Sequence, residues 1–477
     1  MSSAPSATVR FGRLERRGVL LGLSAGQLTA LAGGLVVLVA AEYTAGAVGV
    51  LASAPVWVTL AGVALIAVAG RPVVAWLPIV GDWTLRRALR QTVHVTRPLR
   101  ELSPDALALP GIPGPLDVIV SSANGAAYIV DPRWSTVTAI VEVSGRSFVL
   151  EDPGTQDRHV GGWGRVLASL CQQPEVVRVQ VLHRTSQGGA TKVRRWWASH
   201  ALADAPWASR VVAELIADAE QVADRQECLL AVAIRLPRAG RRISGATLTA
   251  VDQHVGAIVN SLASAGLDVH GWVAPAQLRH VLRTSYDPNG AAVADVSKAD
   301  DRQPSPMVGP MGVSESWDSV RTDTAHHVVY WVQEWPRSDV HPGFLQPLLL
   351  TPGARRSFTL IAEPLPPAKA FREIRRAKVE HTADAAQRAR IGRLEDESTR
   401  AEAADLVRRE QDLVAGHGDL RFAGLVTVSA GTRDELDAAC RATEAAAGQA
   451  MCELRRLVGQ QGQAHAAAAL PLARGLL

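Results

Sequence analysis

Four short stretches carry residue types that could do chemistry. Gly22-Leu23-Ser24-Ala25-Gly26 matches G-x-S-x-G, in which a serine on a sharp strand-to-helix turn becomes a nucleophile. Here it opens an uncharged apolar run and follows no strand, so it lacks that setting. QGGATK at 187–192 is the nearest approach to a phosphate-cradling loop. It has neither the leading glycine nor the Lys-Ser/Thr pair, and it reads as a hairpin turn. His326 and His327 are adjacent on a strand, which points their rings to opposite faces and denies them a shared metal. Asp300-Asp301 sit in a polar loop, where solvation is the expected state. No H-E-x-x-H is present, and no G-x-G-x-x-G follows a strand. No nucleophile, base and oxyanion donor come together. The expectation is a non-enzymatic protein with no catalytic residue, cofactor or metal.

Composition agrees with that reading. The four cysteines, Cys171, Cys228, Cys440 and Cys452, form no C-x-x-C pair and lie in apolar or helical contexts. They are expected to be buried small hydrophobes in a reducing compartment. A formal charge of +4 over 477 residues is far from the dense basic surface of a nucleic-acid binder. Hydrophobic content of 47% and charged content of 20% exclude a polytopic transporter and a disordered chain.

The elements are clearest at the start. Residues 18–41 carry no charge, and after Glu42 a second uncharged run covers 43–70. About 20 apolar residues cross a bilayer, so the pattern predicts a transmembrane hairpin over 18–70 with spans at about 22–41 and 47–69. The expected connector is Glu42-Tyr43-Thr44-Ala45-Gly46, without Lys or Arg. Arg10, Arg13, Arg16 and Arg17 precede the first span, and Arg71, Arg86, Arg87 and Arg90 follow the second, with Arg97 and Arg100 beyond. The positive-inside rule then places both termini in the cytoplasm, at the plasma membrane. A twin-arginine leader at Arg16-Arg17 is the weighed rival. Residues 1–17 form a cytoplasmic tail. Residues 71–113 read as a membrane-proximal basic arm and linker, with an interfacial helix or arm from Trp83 to Arg100.

Beyond the arm, alternating and β-branched runs interleave with helical patterns. The fold class is read as α+β or α/β: a multi-layer domain of ferredoxin-like units with antiparallel or mixed sheets. A first region covers 114–286, a mobile loop 287–312, and a second region 313–477. A long charged helix or helical hairpin spans 367–415, with opposite charges such as Glu373 and Arg376 near each other. Thr432 with Glu435 predicts a capped helix. Trp134, Trp163, Trp196, Trp197, Trp331 and Trp335 are read as core or interface anchors. The closing GQQGQAHAAAALPLARGLL is too short and too polar to span a membrane. It is expected to be a buried helix turning at Pro471, packed on the cytoplasmic domain or on a separate motor.

From Arg355 to Leu472 the order is strand, charged helix, Gly416-His417-Gly418, the strand LRFAGLVTVSA, a helix, then Gly459-Gln460-Gln461 leading to Leu470-Pro471-Leu472. This cadence resembles the N-terminal, non-catalytic region of the conjugation and type IV secretion ATPases of the CagE/TrbE/VirB type. The apolar hairpin is similar to the small PrgI-type membrane subunit, and the whole layout resembles actinobacterial membrane proteins of conjugative elements. The sequence ends where the nucleotide-binding domain of those ATPases would begin. The resemblance therefore implies a membrane-anchored scaffold or docking subunit. Its implied partners are a separate secretion ATPase, other membrane subunits and the bilayer, and it is expected to be oligomeric in the assembled complex. Membrane subunits of type VII secretion of the EccE kind share the outline of an apolar N-terminus followed by an α/β domain, and are the alternative. A membrane-anchored transferase is a third reading and lacks a visible carboxylate pair.

Overall fold

The computed structural model describes residues 8–9, 11, 23–68, 70–96, 106–145, 148–187, 196–201, 206–222, 224–236, 245–288, 309–350, 355–390 and 397–475. Arg10, Arg13, Arg16, Arg17, Arg97, Arg100, Asp300, Asp301, the 188–192 turn and 289–308 of the expected loop lie outside them. The chain divides into two compact units, Arg13–Thr92 and Met1–Gly12 with Val93–Leu477.

In the smaller unit one helical element, α1 (Ala25–Leu65), is long and apolar enough to cross a membrane. Where two separate spans were expected, the structure has this one candidate element, interrupted at Gly46. The predicted connector is itself helical up to Ala45, and Gly46 alone leaves the helix, at φ 57° and ψ −147°. That conformation suits glycine, so one residue does what a loop was expected to do. Ser24 caps α1: Gln27 N donates to its hydroxyl at 3.3 Å, and Ser24 N donates to Gln27 Oε1 at 2.9 Å. A capping box thus accounts for the serine of GLSAG. Gln27 Nε2 also donates to Ala64 O at 2.8 Å. A Cβ on Gly34 would stand 3.5 Å from Trp57 O, so small residues let the arms on either side of Gly46 lie close.

After α1 come the short antiparallel strands β1 (Ala67–Val68) and β2 (Arg71–Pro72), a 3-10 turn at Val73–Ala75, and α2 (Leu77–Ala88). α2 ends with Arg90 in the left-handed region at φ 56°. Arg90 N donates to Arg87 O at 3.1 Å and Gln91 N to Arg86 O at 2.8 Å. This is a glycine-type helix stop built on an arginine, at a cost of about 1–2 kcal/mol.

The larger unit is α+β, with one 14-stranded sheet. Its first part holds β3 (Val93–Val95), β4 (Ala106–Leu107), β5 (Leu116–Val120), β6 (Ala127–Asp131), β7 (Thr136–Ser144), α3 (Pro153–Cys171), β8 (Val176–Gln187), α4 (Pro206–Val222), β9 (Asp224–Arg235), α5 (Gly245–Ser264), β10 (Asp268–Trp272) and α6 (Pro275–Tyr286). Then follow β11 (Gly312–Glu315), β12 (Val320–Thr322), β13 (Ala325–Glu334), α7 (Gln346–Leu350), β14 (Arg355–Leu365), α8 (Pro367–Arg390), α9 (Glu397–Val414), β15 (Asp419–Ala430), α10 (Arg433–Gln449), β16 (Glu453–Arg456) and α11 (Gln461–Ala469). The order is β3-β11-β12-β13-β15-β14-β8-β9-β7-β6-β5-β4, with β10 added to β7 and β16 to β13. Every described pairing is antiparallel, which removes the α/β and mixed-sheet part of the expectation.

The sheet repeats itself, a relation the sequence did not disclose. β6 pairs with the start of β7 and β10 with its end; β12 and β16 pair in the same way with β13. The β10–β7 and β13–β16 pairings each shift register once, with the extra residue on β10 between Val269 and Gly271 in the first and on β13 between Val332 and Glu334 in the second. Val141 leads through Leu230 to Val181 in one half, and Tyr330 through Val426 to Phe358 in the other. β8 then pairs with β14 so that Val181 meets Leu360 and His183 meets Phe358. The Leu182–Thr359 pair between them is its own mate, the centre of an approximate two-fold relation. Residues after β10 and β16 obey it too: Val273 N donates to Ile140 O and Leu457 N to Val329 O, each at 3.0 Å.

Side chains alternate across the sheet, as strand geometry requires. One face packs Val137 and Val141 with residues of α3 and α5, and Val328, Tyr330 and Val426 with Leu436 and Cys440 of α10. The other packs Ile140 and Leu182 with α6, and Val329, Ile361 and Leu425 with α11. The Pro/Gly-rich stretch expected as a linker is described from 106, and Leu107, Leu109 and Ile112 are buried in the core. Between β14 and β15 the charged region is a pair of helices, α8 and α9, bridged by Lys378 and Glu410. Glu373 binds Arg421 of β15 at 2.8 Å, and Arg376 binds Glu380 at 2.7 Å. Trp335 is buried beside Phe11, Phe358 and Phe422, whereas Trp134 and Trp196 are exposed.

A Cβ on Gly424 would lie 2.7 Å from Trp335 Cζ2 and 2.9 Å from Val332 Cγ2, whereas one on Gly256 of α5 meets nothing within 4 Å. Gly424→Ala is expected to cost about 1–3 kcal/mol and Gly256→Ala to gain about 0.5–1 kcal/mol in urea unfolding of the solubilised chain. Equal effects at the two positions would contradict this packing.

Candidate functional site

The residues singled out near the C-terminus converge on the sheet surface beside the Leu182–Thr359 pair. Gly459 is in the left-handed region at φ 71°, and its N–H donates to Trp317 O at 2.6 Å. Gln460 precedes α11 as its N-cap without a side-chain capping bond. Gln461 is wholly buried: Val329 N donates to its Oε1 at 2.8 Å, and its Nε2 donates to Leu457 O at 2.8 Å and Val329 O at 3.3 Å. Its amide fills the gap on β13 between the stretches paired to β12 and β16.

α11 is almost entirely small, QGQAHAAAA, which brings its backbone down onto the strands. Sheet side chains then satisfy its last carbonyls. Thr359 Oγ1 donates to Ala468 O at 2.5 Å, and Gln180 Nε2 to Leu470 O at 2.9 Å and Ala467 O at 3.3 Å. Ala473 N donates to Gln180 Oε1 at 2.6 Å, and Thr138 Oγ1 to Leu472 O at 3.3 Å. Leu470, Pro471 and Leu472 are buried, and Arg474 pairs with Asp131. The segment therefore starts in the core of the second half, with Ala464, Ala467 and Ala468, and ends in that of the first, with Leu470, Leu472 and Ala473.

Gly416, His417 and Gly418 stop α9 and turn the chain into β15. Gly416 is at φ 94°, with its N–H on Leu413 O at 3.2 Å and His417 N on Asp412 O at 2.9 Å. Gly416 and His417 are exposed. A Cβ on Gly418 would sit 2.8 Å from Cys171 Sγ and 2.9 Å from Ala168 Cα, so this glycine is needed for the approach of α3. Of the topology arginines, Arg71 lies in β2, Arg86 is buried against Asp82 at 2.8 Å, Arg87 stands 5.0 Å from the Trp83 ring, and Arg90 ends α2.

Sequence reasoning missed a buried polar cluster where α6, β13 and α11 meet. The His327 and His465 rings are 4.4 Å apart, with Tyr286 at 5.4 Å from His465. The Thr322 hydroxyl donates to Tyr286 O, so His327 Nε2, 2.7 Å from that hydroxyl, carries the proton. Nδ1 then accepts from Ser429 at 2.7 Å. The His465 nitrogens are buried without a hydrogen bond of good geometry, the Ser285 backbone being a weak neighbour. Burial holds His327 down to about 4, against the pull of the Tyr286 carbonyl. Burial and the neighbouring ring push His465 well below the usual histidine value. Nearby, Arg184 binds Glu227 at 2.6 Å and donates to Val281 O and Thr284 Oγ1 at 3.1 Å each. The one sequence signal for this cluster is a histidine inside an otherwise alanine helix.

Burial holds the two histidines neutral, and Arg184 is paired with Glu227. Among the described residues no group of three His, Cys, Asp or Glu could hold a metal ion. Burial raises Cys228 and Cys452 to about 11, and raises Cys171 and Cys440, so none is an activated thiolate. No protein-family model matches the chain, and no curated protein matches it.

Gln461→Ala leaves the Val329 N–H and C=O without the amide and is expected to cost ~2 kcal/mol, with Gln180→Ala similar. Loss below 0.5 kcal/mol in both, about the size of a surface change, would deny the segment its role. The histidines give a pH dependence of definite sign. Their folded pKa values lie below the unfolded 6.5, so the unfolded chain takes up protons first as pH falls. Stability is full above about 6.5 and declines toward about 4, by ~2–3 kcal/mol for His327. Urea midpoints from pH 8 to about 4.5 check this, and His465→Leu should flatten the decline.

Proposed function

We propose that the chain is a membrane-anchored, non-enzymatic docking subunit of a conjugation-type, type IV-like secretion apparatus. The observation that carries the anchor is the exposed apolar surface of α1: Leu35 is 62% exposed, Val36 66%, Val48 75% and Leu51 76%. Such a surface in water is unfavourable by roughly 25 cal/mol per Å² and calls for lipid. In this reading α1 crosses twice, turning at Gly46. Each arm is about 30 Å long, the thickness of a bilayer core. Arg71, Arg87 and Arg90 keep the following chain on the cytoplasmic side of the plasma membrane.

The α+β unit is the docking platform. Each half has the strand order of a ferredoxin-like unit, β10-β7-β9-β8 and β16-β13-β15-β14, and each carries helices between its two middle strands. Helices α8 and α9 present charged outer faces beside exposed Val379 and Val414. The GHG turn and the GQQ…LPL cadence support the resemblance to the non-catalytic region of secretion ATPases, and a separate ATPase is the partner it favours.

Two measurements test this. Tyr43→Cys should react with a membrane-impermeant maleimide in intact cells, and Arg90→Cys only after lysis; the reverse pattern would sink the topology. Mild-detergent purification from the native membrane should bring a secretion ATPase with the chain. Its absence from the eluate under crosslinking would sink the docking role.

A further inference from the structure

α2 is built inside out for a helix in water. Leu77, Val80, Leu85 and Leu89 are 57%, 41%, 59% and 58% exposed. Gly81, Thr84 and Ala88 are exposed between them. These positions recur three and four apart and form one face. The opposite side holds half-buried Ile79 and Trp83 and the Asp82–Arg86 ion pair, in which Arg86 is 9% exposed. Arg86 is covered, Asp82 stays exposed, and the apolar face is bare.

α2 also starts at a defined level. The 3-10 turn before it packs on α1, where a Cβ on Gly26 would stand 3.5 Å from Val74 Cγ2. That is the end of α1 at which Gln27 meets Ala64 O. Trp76 anchors the approach by donating from Nε1 to Val68 O at 3.1 Å. At the far end Arg87 lies over the Trp83 ring and Arg90 occupies a left-handed position where glycine would be relaxed. Both guanidinium groups are exposed beside the apolar face.

We propose that α2 is a membrane-surface helix that docks on an anionic leaflet. Its Leu77/Val80/Thr84/Leu85/Ala88 face enters the headgroup–acyl boundary, and Arg87 and Arg90 bind lipid phosphates. The inference rests on α1 being the membrane anchor. Three features select lipid as the occupant. The apolar face begins at the base of the anchor, the flanking charges complement phosphate, and Trp76 stands at its N-terminal end, as at membrane interfaces.

The test uses the full chain reconstituted in vesicles, with a spin label at Leu85→Cys or, separately, at Leu51→Cys. Accessibility to oxygen against a nickel chelate reads lipid against water. In phosphatidylcholine mixed with phosphatidylglycerol the Leu85 label should sit in lipid. Its docked-to-undocked ratio should fall about fivefold with Arg87→Gln and again with Arg90→Gly. Arg90→Gly should meanwhile relax the helix end, so lower docking with undiminished helicity separates lipid binding from a structural role. A Leu85 label in water while the Leu51 label is in lipid overturns the inference and leaves the anchor intact. Equal docking in phosphatidylcholine alone overturns the anionic partner. A Leu51 label in water would remove the anchor reading itself.

Discussion

The pairing of β8 with β14 is the constraint on which the larger unit depends. It joins two half-sheets along Val179–Arg184 and Ala362–Ser357, and without it each half would expose a long strand edge. Both faces of these strands are covered. A slip of one residue would exchange Leu182, Gln180 and Arg184 with Val179, Val181 and His183. Gln180 would then lose three bonds to the C-terminal segment, and Arg184 its bonds to Glu227 and α6. Register, segment and polar cluster are therefore one interdependent arrangement.

The seam is more polar than a sheet centre usually is. Thr138, Gln180, Arg184, His327, Thr359 and Gln461 are all nine-tenths buried or more. Hydrogen bonds of this sort add only about 1 kcal/mol each when made, yet cost more when broken. Their directional demand favours one arrangement of α11 over the many that a greasy face would accept. An alanine helix has little shape to recognise, so polar groups on the strands supply the specificity its side chains lack.

Much of this was legible in the sequence, for physical reasons. The apolar content of 25–65, the strand and helix alternation, the Thr432–Glu435 cap and the burial of the C-terminal helix are local signals of period and composition. The turn at Gly46 was drawn too long, as the connector Glu42–Gly46, because a single glycine in an unusual backbone region leaves no loop to read. Glu373 was matched to Arg376 on its own helix, whereas Arg421 of the neighbouring strand competes and wins. The two-fold relation was invisible because it resides in hydrogen-bond register, which tolerates any side chains that alternate in polarity. The His327–His465 contact joins residues far apart in sequence, and neither lies in a ligand-like spacing. The glycines of the GHG and GQQ stretches were noticed as cadence; the structure gives their cause in left-handed turns and a close approach to α3.

The doubled sheet also settles a matter of symmetry. Two separate copies of such a half, joined through the same strand edge, would make a dimer with two equal ends. Here the halves share one polypeptide, and only the second passes a terminal segment into its mate. Joining them covalently breaks the equivalence, so the pair has a direction. Along the sheet the first half can be told from the second, a distinction that an even-handed dimer of the same halves would lack.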